Sequence, residues 1–576
     1  MGGGTPDPFS GPGASHITPV GLAIYAGHES IVDELARIDP SILTSKDNLA
    51  LAALRPSPAM ARKCLVAGAT PWIPYSFHGI VPLHTAIAGG DLDIVAEFLK
   101  LGSYARCVDG VTTTEVKKEG SDLLVLSDTS LAWPLEVAVE TFPKPNVDLV
   151  RLLLKHGAFE GDFRYHVEEG FLEHRFDILV EGRIKADDIA CVEVLLQHSK
   201  GEPTANFVGY ARSPEMLQLL LRYATNFDME DECGDRPLHI MARELVDGQN
   251  KNAPTAAALE TFIMLIKESR RINAQNFNGF TALHICARGM RDSSYKFWCP
   301  TIEKRHAYEK RIGLYVKTLL DLGAKPRVSS LLGWTALHEA TSGKHWKAAK
   351  LLVQAGPKAV NMRNRYGETP LHMLFGSYIL PERGDRVGRR LRAACTGQTL
   401  DILKLLVGRG ADPNLRDGRG FAPLFRALTE RSLKAVRCLL CLGANPNVRD
   451  RSSDTVLIRA AQVSSVGIVR LLVATGADVD ARGGYGGTAL IAAAVRGRRD
   501  VLRALLGLGA NAEMQDNTVM DHIERFGGFK NEVAHILVGR GLSLPDAFVL
   551  APLAGEPGRK RKRKRTASMD IGDSQD

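Results

Sequence analysis

Glycine and leucine return every 33 residues near the end of the chain. Gly410, Gly443, Gly476 and Gly509 keep that interval, and so do Leu424, Leu457 and Leu490. A fixed period of this length specifies a stack of small units, each too short to bury its apolar face alone, rather than a set of independent globules. It overrides the roughly four ordinary domains that a chain of 576 residues would otherwise suggest. Each unit opens on Thr-Pro or Thr-Ala, continues as an apolar helix and a short turn, and then enters a second helix such as "VGIVRLLVATGA". There Ile468, Leu471 and Leu472 fall at helical spacing. The helix stops at Gly476, where a residue without Cβ adopts the left-handed conformation at no steric cost.

One phrase inside the period bears on chemistry. "GWTALHEA", Gly333 to Ala340, sets His338 beside Glu339, yet a zinc-protease motif needs a second histidine at i+4, and position 342 is serine. The phrase also returns, as "GFTALHIC" from Gly279, "GETPLHML" from Gly367, "DRPLHIM" from Asp235 and "VPLHTA" from Val81. A histidine repeated in this way serves a repeated structural task. Thr335 is placed as N-cap, its hydroxyl accepting from a backbone N–H two or three residues on. His338, in the first turn, forms a hydrogen-bonding bracket between that threonine, the backbone and the next unit. The same assignment covers Thr369 with His372, Thr281 with His284, and the lone histidines His84 and His239. Pro370 follows Thr369 at the first helical position, where its missing N–H costs nothing.

These residues resemble the ankyrin repeat. Asn361, Asn364, Gly367, Thr369, Pro370, Leu371 and His372 match its pattern almost throughout, and Asn414, Asp417 and Gly420, then Asn447 and Asp450, repeat its hairpin. The resemblance implies an all-α-dominated repeat solenoid of stacked ankyrin repeats, each a helix-turn-helix plus a β-hairpin finger, with about 11–14 units including degenerate ones. It implies binding on the concave side, through fingers and first helices.

The expected organisation is a disordered Gly/Pro-rich N-terminus over 1–15, N-terminal repeats over 16–102 and degenerate ankyrin-like repeats over 103–260. C-terminal repeats with inserts near 288–312 and 376–398 fill 261–545, and a disordered basic tail occupies 546–576. In the degenerate stretch "VDLVRLLLKHGA" and "CVEVLLQHS" keep helices without good caps. The tail holds "RKRKRKR", Arg559, Lys560, Arg561, Lys562, Arg563, Lys564 and Arg565, followed by the possible phosphosites Thr566 and Ser568. Without those seven bases and the three aspartates after them, the formal charge of +8 falls to +4. Such a run resembles a nuclear-localisation signal read by an import receptor.

Several classes are disfavoured. No apolar run reaches the length that spans a bilayer, no signal peptide opens the chain, and Pro6 breaks the myristoylation pattern of "MGGGTP". Nine cysteines without framework spacing fit reduced thiols, and the CxxC of Cys438 and Cys441 lacks a second ligand pair, so both are expected to pack. No catalytic residue, metal or cofactor is expected. The chain reads as a non-enzymatic protein-protein interaction scaffold or adaptor of the nucleus, the cytoplasm or both. The expected partners are other proteins, acidic or phosphorylated segments among them, and an import receptor; direct nucleic-acid binding is disfavoured. The alternatives are a substrate-recognition subunit of a ubiquitin ligase, or an enzyme with its site in the degenerate middle. The binding candidates are an arginine column, Arg363, Arg416, Arg449 and Arg482, with Tyr366 and Tyr485 beyond it and Phe280, Trp334 and Phe421 before the caps. Arginine and aromatic side chains dominate interface energetics.

Overall fold

The computed structural model describes residues 19–54, 58–69, 82–100, 114–119, 123–128, 134–140, 144–158, 169–198, 205–224, 226–247, 256–289, 302–375, 397–484 and 486–512, together with 536 and 539. Tyr485, the basic run 559–565, Thr566 and Ser568 lie outside these residues, as do the Gly/Pro-rich N-terminus and most of the second insert. The chain divides into two compact units, residues 1–286 with 321–324, and residues 287–320 with 325–576.

Within each unit the layers follow one rule: first helices pack on first helices, and second helices on second. In the C-terminal unit Val456–Val463 lies against Ala489–Val495, and Val466–Ala474 against Arg499–Gly507. The N-terminal unit repeats the arrangement, with Lys46–Leu54 against Pro82–Gly89 and Ala205–Tyr210 against Pro237–Asp247. The core is the line of side chains between the layers, among them Leu424, Leu457 and Leu490, all fully buried. Burying a leucine contributes about 1.5–3 kcal/mol, and a stack repeats that contribution at every interface.

The degenerate stretch keeps the stacking and is better capped than its sequence suggests. Asn146 Oδ1 accepts from the N–H groups of Asp148 and Leu149 at 3.1 and 3.4 Å, and Ser213 Oγ accepts from Met216 N at 3.2 Å with Pro214 next in line. Both cap second helices, where the Thr-Pro motif was never due to appear. An antiparallel pair, Thr114–Glu119 with Leu123–Asp128, interrupts the helices there. The first insert enters the helix Ile302–Asp321, which runs 20 residues where its counterparts in the C-terminal unit run nine to twelve. Cys441 is exposed and Cys438 half-buried, because the C-terminal end of Leu433–Cys441 emerges from the stack, so neither packs as the sequence suggests. The buried thiols are inert: burial pushes Cys64 up to about 11 and Cys191 up to about 12.

Candidate protein-binding face

The finger is a five-residue turn closed at both ends by its first residue. Among the described residues of the C-terminal unit these first residues are Ser330, Asn364, Asp417, Asp450 and Gly483. Asn364 N donates to Glu368 O at 2.9 Å, while its side-chain oxygen accepts from Tyr366 N and Glu368 N, both at 2.9 Å. Asp417 does the same with Arg419 N and Phe421 N. A short carboxylate or amide satisfies these donors without a second strand, which is why Asn and Asp own the position. The fourth residue turns left-handed, with φ of 75° at Gly333, 72° at Gly367, 81° at Gly420 and 76° at Gly486; at Ser453 a residue with a Cβ takes φ 61°. The N-terminal unit carries the same turn at Asp231 and Asn276.

Successive fingers are sewn together by backbone and by asparagine. Arg365 N donates to Leu332 O at 2.9 Å and Gly418 N to Tyr366 O at 2.6 Å. A Cβ on Gly418 would stand 2.7 Å from that same carbonyl. Gly418→Ala should therefore part the two fingers and cost about 1–3 kcal/mol, read as a lowered urea midpoint with unchanged slope. At the base of the fingers Asn361, Asn414 and Asn447 donate to Gly410 O, Gly443 O and Gly476 O at 2.7, 3.0 and 2.8 Å, and their oxygens accept from the N–H groups two residues past those glycines.

The motif histidines bind this scaffold from within. Thr335 N donates to His338 Nδ1 at 3.1 Å, so Nδ1 is unprotonated and Nε2 carries the hydrogen that it donates to Glu368 O, 3.1 Å away in the next unit. Thr335 Oγ1 accepts from His338 N at 3.4 Å. Thr369 and His372 repeat the arrangement, His372 Nε2 meeting Phe421 O at 3.0 Å; Thr281 N likewise donates to His284 Nδ1 at 3.2 Å. At His239 the donor to Nδ1 is Arg236 N, and Nε2 meets Ala274 O at 3.0 Å. His84 is half-buried at the start of its helix. Burial pushes His239 below the ordinary imidazole range; at His372 burial, with Arg426 adding to it, brings the ring down to about 4.

Beneath the fingers lies a buried ionic cluster that the sequence did not disclose. Arg426 donates through one guanidinium nitrogen to Glu368 Oε1 at 2.6 Å and to Asp417 Oδ2 at 2.7 Å, and all three side chains are buried. One repeat later Arg459 reaches Asp450 at 2.8 Å from a partly exposed position.

The candidate residues divide into two sets. Arg363, Arg416, Arg449 and Arg482 are exposed, and Tyr366 is 53% exposed. Two of the arginines also reinforce the row: Arg363 bonds Gly367 O and Arg416 O, and Arg449 bonds Ser453 O at 2.9 Å and Arg482 O at 2.6 Å. Phe280, Trp334 and Phe421 are half-buried, with the first two beside the bracket histidines: Phe280 lies 5.8 Å from His284 and Trp334 6.4 Å from His338. Phe421 lies 5.4 Å from Phe425. The exposed apolar tips are others, Leu331 at 60% and Leu332 at 45%, with Phe277 at 63% in the N-terminal unit. The signal for them was present in "SSLLGW", an aliphatic pair at the two turn positions where sister fingers carry Arg, Gly, Ser or Tyr.

The sewn Asx-type fingers, the Thr-His brackets and the paired helices are the parts of one known repeat, and a family model for ankyrin repeats matches residues 307–376 and 442–516, with a second ankyrin-repeat model over 366–418. The chain carries ankyrin repeats. A probable 26S proteasome regulatory subunit, p28, of Saccharomyces cerevisiae is 30% identical over 118 residues, 20% of this chain and 42% of that protein. A putative ankyrin repeat protein of Acanthamoeba polyphaga mimivirus is 28% identical over 169 residues, 27% of this chain and 24% of the relative. The chain thus spans less than half the length of these relatives. The crystal structure of the ankyrin repeat domain of Bcl-3, a member of the IkappaB protein family, aligns over 48% of this chain and all of that one, at 25% identity and a TM-score of 0.35. Among the described residues no helix is long and apolar enough to cross a membrane, and no group of His, Cys, Asp and Glu side chains converges as metal ligands. Ankyrin repeats are interaction modules, and the matched residues are built as such repeats.

Proposed function

We propose that this chain is a non-enzymatic scaffold whose C-terminal fingers grip an acidic or phosphorylated segment of another protein, and that the basic run 559–565 takes it at least partly to the nucleus through an import receptor. The gripping role rests on one observation. From Arg363 onward the fingers expose Arg363, Arg365, Arg416, Arg419, Arg449, Arg451 and Arg482, while the turn carboxylates Glu368, Asp417 and Asp450 are buried and Asp454 is paired with Arg459, which leaves Asp412 and Asp478 at the finger bases as the exposed carboxylates beside them. Backbone carbonyls fix two of these guanidinium groups without neutralising them, so a row of preset positive charge faces outward. A carboxylate or phosphate gains bidentate, charge-assisted bonds there, and the pairing weakens as salt screens it.

Reversing two members tests the grip. Arg416→Glu with Arg449→Glu should reduce capture of partner proteins by the full chain, counted by quantitative mass spectrometry, about tenfold or more for those that depend on the face. Retention of every partner would remove the column from the account. Import has its own test, because a fluorescent fusion truncated after Gly558 should lose nuclear accumulation. Thr566→Glu with Ser568→Glu should weaken it, since two phosphates of about −1.5 to −2 charge each offset much of the run. Unchanged nuclear signal in the truncation would show that the tail does not direct the protein.

A further inference from the structure

The five described fingers of the C-terminal unit do not share one chemistry. At Ser330 the turn exposes Leu331 and Leu332; at Asn364 it exposes Arg365 and Tyr366; from Asp417 onward, among the described residues, the exposed turn side chains are arginine and serine. The hydrogen bonds from Arg365 N to Leu332 O and from Gly418 N to Tyr366 O make the first three fingers neighbours in one row, so the apolar tips and the arginines belong to a continuous surface. Leucines side by side at the tip of a turn gain nothing for folding, and no sister finger of this unit places an aliphatic residue at either position. A partner is the physical reason to keep them there.

We infer that this row takes an extended segment of another protein, with a bulky apolar residue or two seated on Leu331, Leu332 and Tyr366 and with carboxylates running on along Arg416, Arg449 and Arg482. This rests on the binding reading above and adds a direction and an anchor to it. Charge decides the acidic half: the charged side chains exposed at the described turns are arginines, the turn carboxylates are buried or, at Asp454, paired with Arg459, and the exposed Asp412 and Asp478 stand lower, at the bases of the fingers. Shape decides the other half. An aliphatic Leu-Leu step packs against aliphatic or aromatic side chains, whereas a nucleic-acid strand asks for flat rings on which successive bases stack, and among the described residues the exposed ring beside this step is Tyr366 of the next finger. The occupant is therefore a polypeptide. Desolvated apolar contact at one end supplies residence time and the arginine track supplies steering, the division of labour seen where hot spots sit beside charged surface.

Two fluorescein-labelled synthetic peptides test this on the full chain: an Asp/Glu-rich peptide with a Leu-Phe pair at one end, and the same peptide with Ser-Ser in place of the pair, each made in both orientations. Fluorescence anisotropy should show the better-oriented paired peptide binding about tenfold tighter than its Ser-Ser counterpart. Leu331→Ser with Leu332→Ser should erase that advantage without weakening the Ser-Ser peptide. Arg416→Glu with Arg449→Glu should weaken both. Leu331 and Leu332 are exposed, so the variant should keep the wild-type circular dichroism and melting midpoint, which separates lost binding from lost fold. Equal affinity for the two peptides, or an advantage that survives in the leucine variant, would overturn the anchor and leave the arginine column standing. Absence of binding to either peptide, or displacement of both by an oligothymidine strand at physiological salt, would overturn the anchor and the column together.

Discussion

Arg426→Ala should destabilise the C-terminal unit by about 3–5 kcal/mol, more than removal of any surface arginine. The reason is what it leaves behind. Glu368 and Asp417 are buried away from water, and Arg426 is the cation that stands between them at 2.6 and 2.7 Å. The remaining oxygens are already used, Glu368 Oε2 by Asn364 and Asp417 Oδ1 by the turn amides. Truncation strands two buried carboxylates in positions that the finger cannot give up. Arg459 provides the comparison, since its side chain is 35% exposed and water can replace it on Asp450, so Arg459→Ala should cost clearly less. Urea unfolding followed by circular dichroism measures both. A triple variant, Arg426→Met with Glu368→Gln and Asp417→Asn, should recover part of the loss because it removes the stranded charge and keeps the turn acceptors. A loss below about 1 kcal/mol for Arg426→Ala would show that the cluster is not what holds these two repeats together.

That cluster also marks a boundary of what could be read in advance. The 33-residue glycines were legible, and Gly410, Gly443, Gly476 and Gly509 close their helices with φ of 93°, 91°, 97° and 91°, because only local backbone geometry is at stake. The bracket was legible for the same reason: Thr335 and His338 are three residues apart on one turn. Arg426 was not, since nothing in "FAPLFRALTE" separates a buried arginine from a solvated one; the difference lies in a carboxylate 58 residues earlier. The arginine column was visible as a spacing, but not that Arg363 and Arg449 spend part of their reach on the next finger. Tip exposure at Leu331 and Leu332 depends on where the turn begins, and Ser330 hides that start because it replaces the usual Asn or Asp. Caps at Asn146 and Ser213 were missed because they serve second helices, which carry no fixed motif. Local order was in the sequence; register between repeats needed the fold.

Lowering the pH from 7.5 to 5 should weaken the C-terminal unit by about 2 kcal/mol through His372 alone. The sign follows from where protons bind. In the unfolded chain this imidazole titrates near the ordinary 6.5, whereas burial, reinforced by Arg426, holds it down to about 4 in the fold. Between those values the unfolded state carries the extra proton, so stability is fully present above about 6.5 and is lost as pH falls toward 4. Geometry gives the same answer: Nδ1 accepts from Thr369 N at 3.1 Å, and a protonated Nδ1 would set two donors against each other while Nε2 already points at Phe421 O. His239, also pushed down by burial, acts in the same direction in the N-terminal unit. Asp228 and Asp454, raised by burial, act in the opposite one, so the raw slope is not the readout. The difference between wild type and His372→Asn is. Asparagine can accept from Thr369 N in place of Nδ1 and does not titrate, so the variant should start lower at pH 7.5 and lose about 2 kcal/mol less on the way to pH 5. Parallel stability curves for the two proteins across that window would mean that His372 takes its proton in the fold as readily as out of it, and that the bracket tolerates a charge.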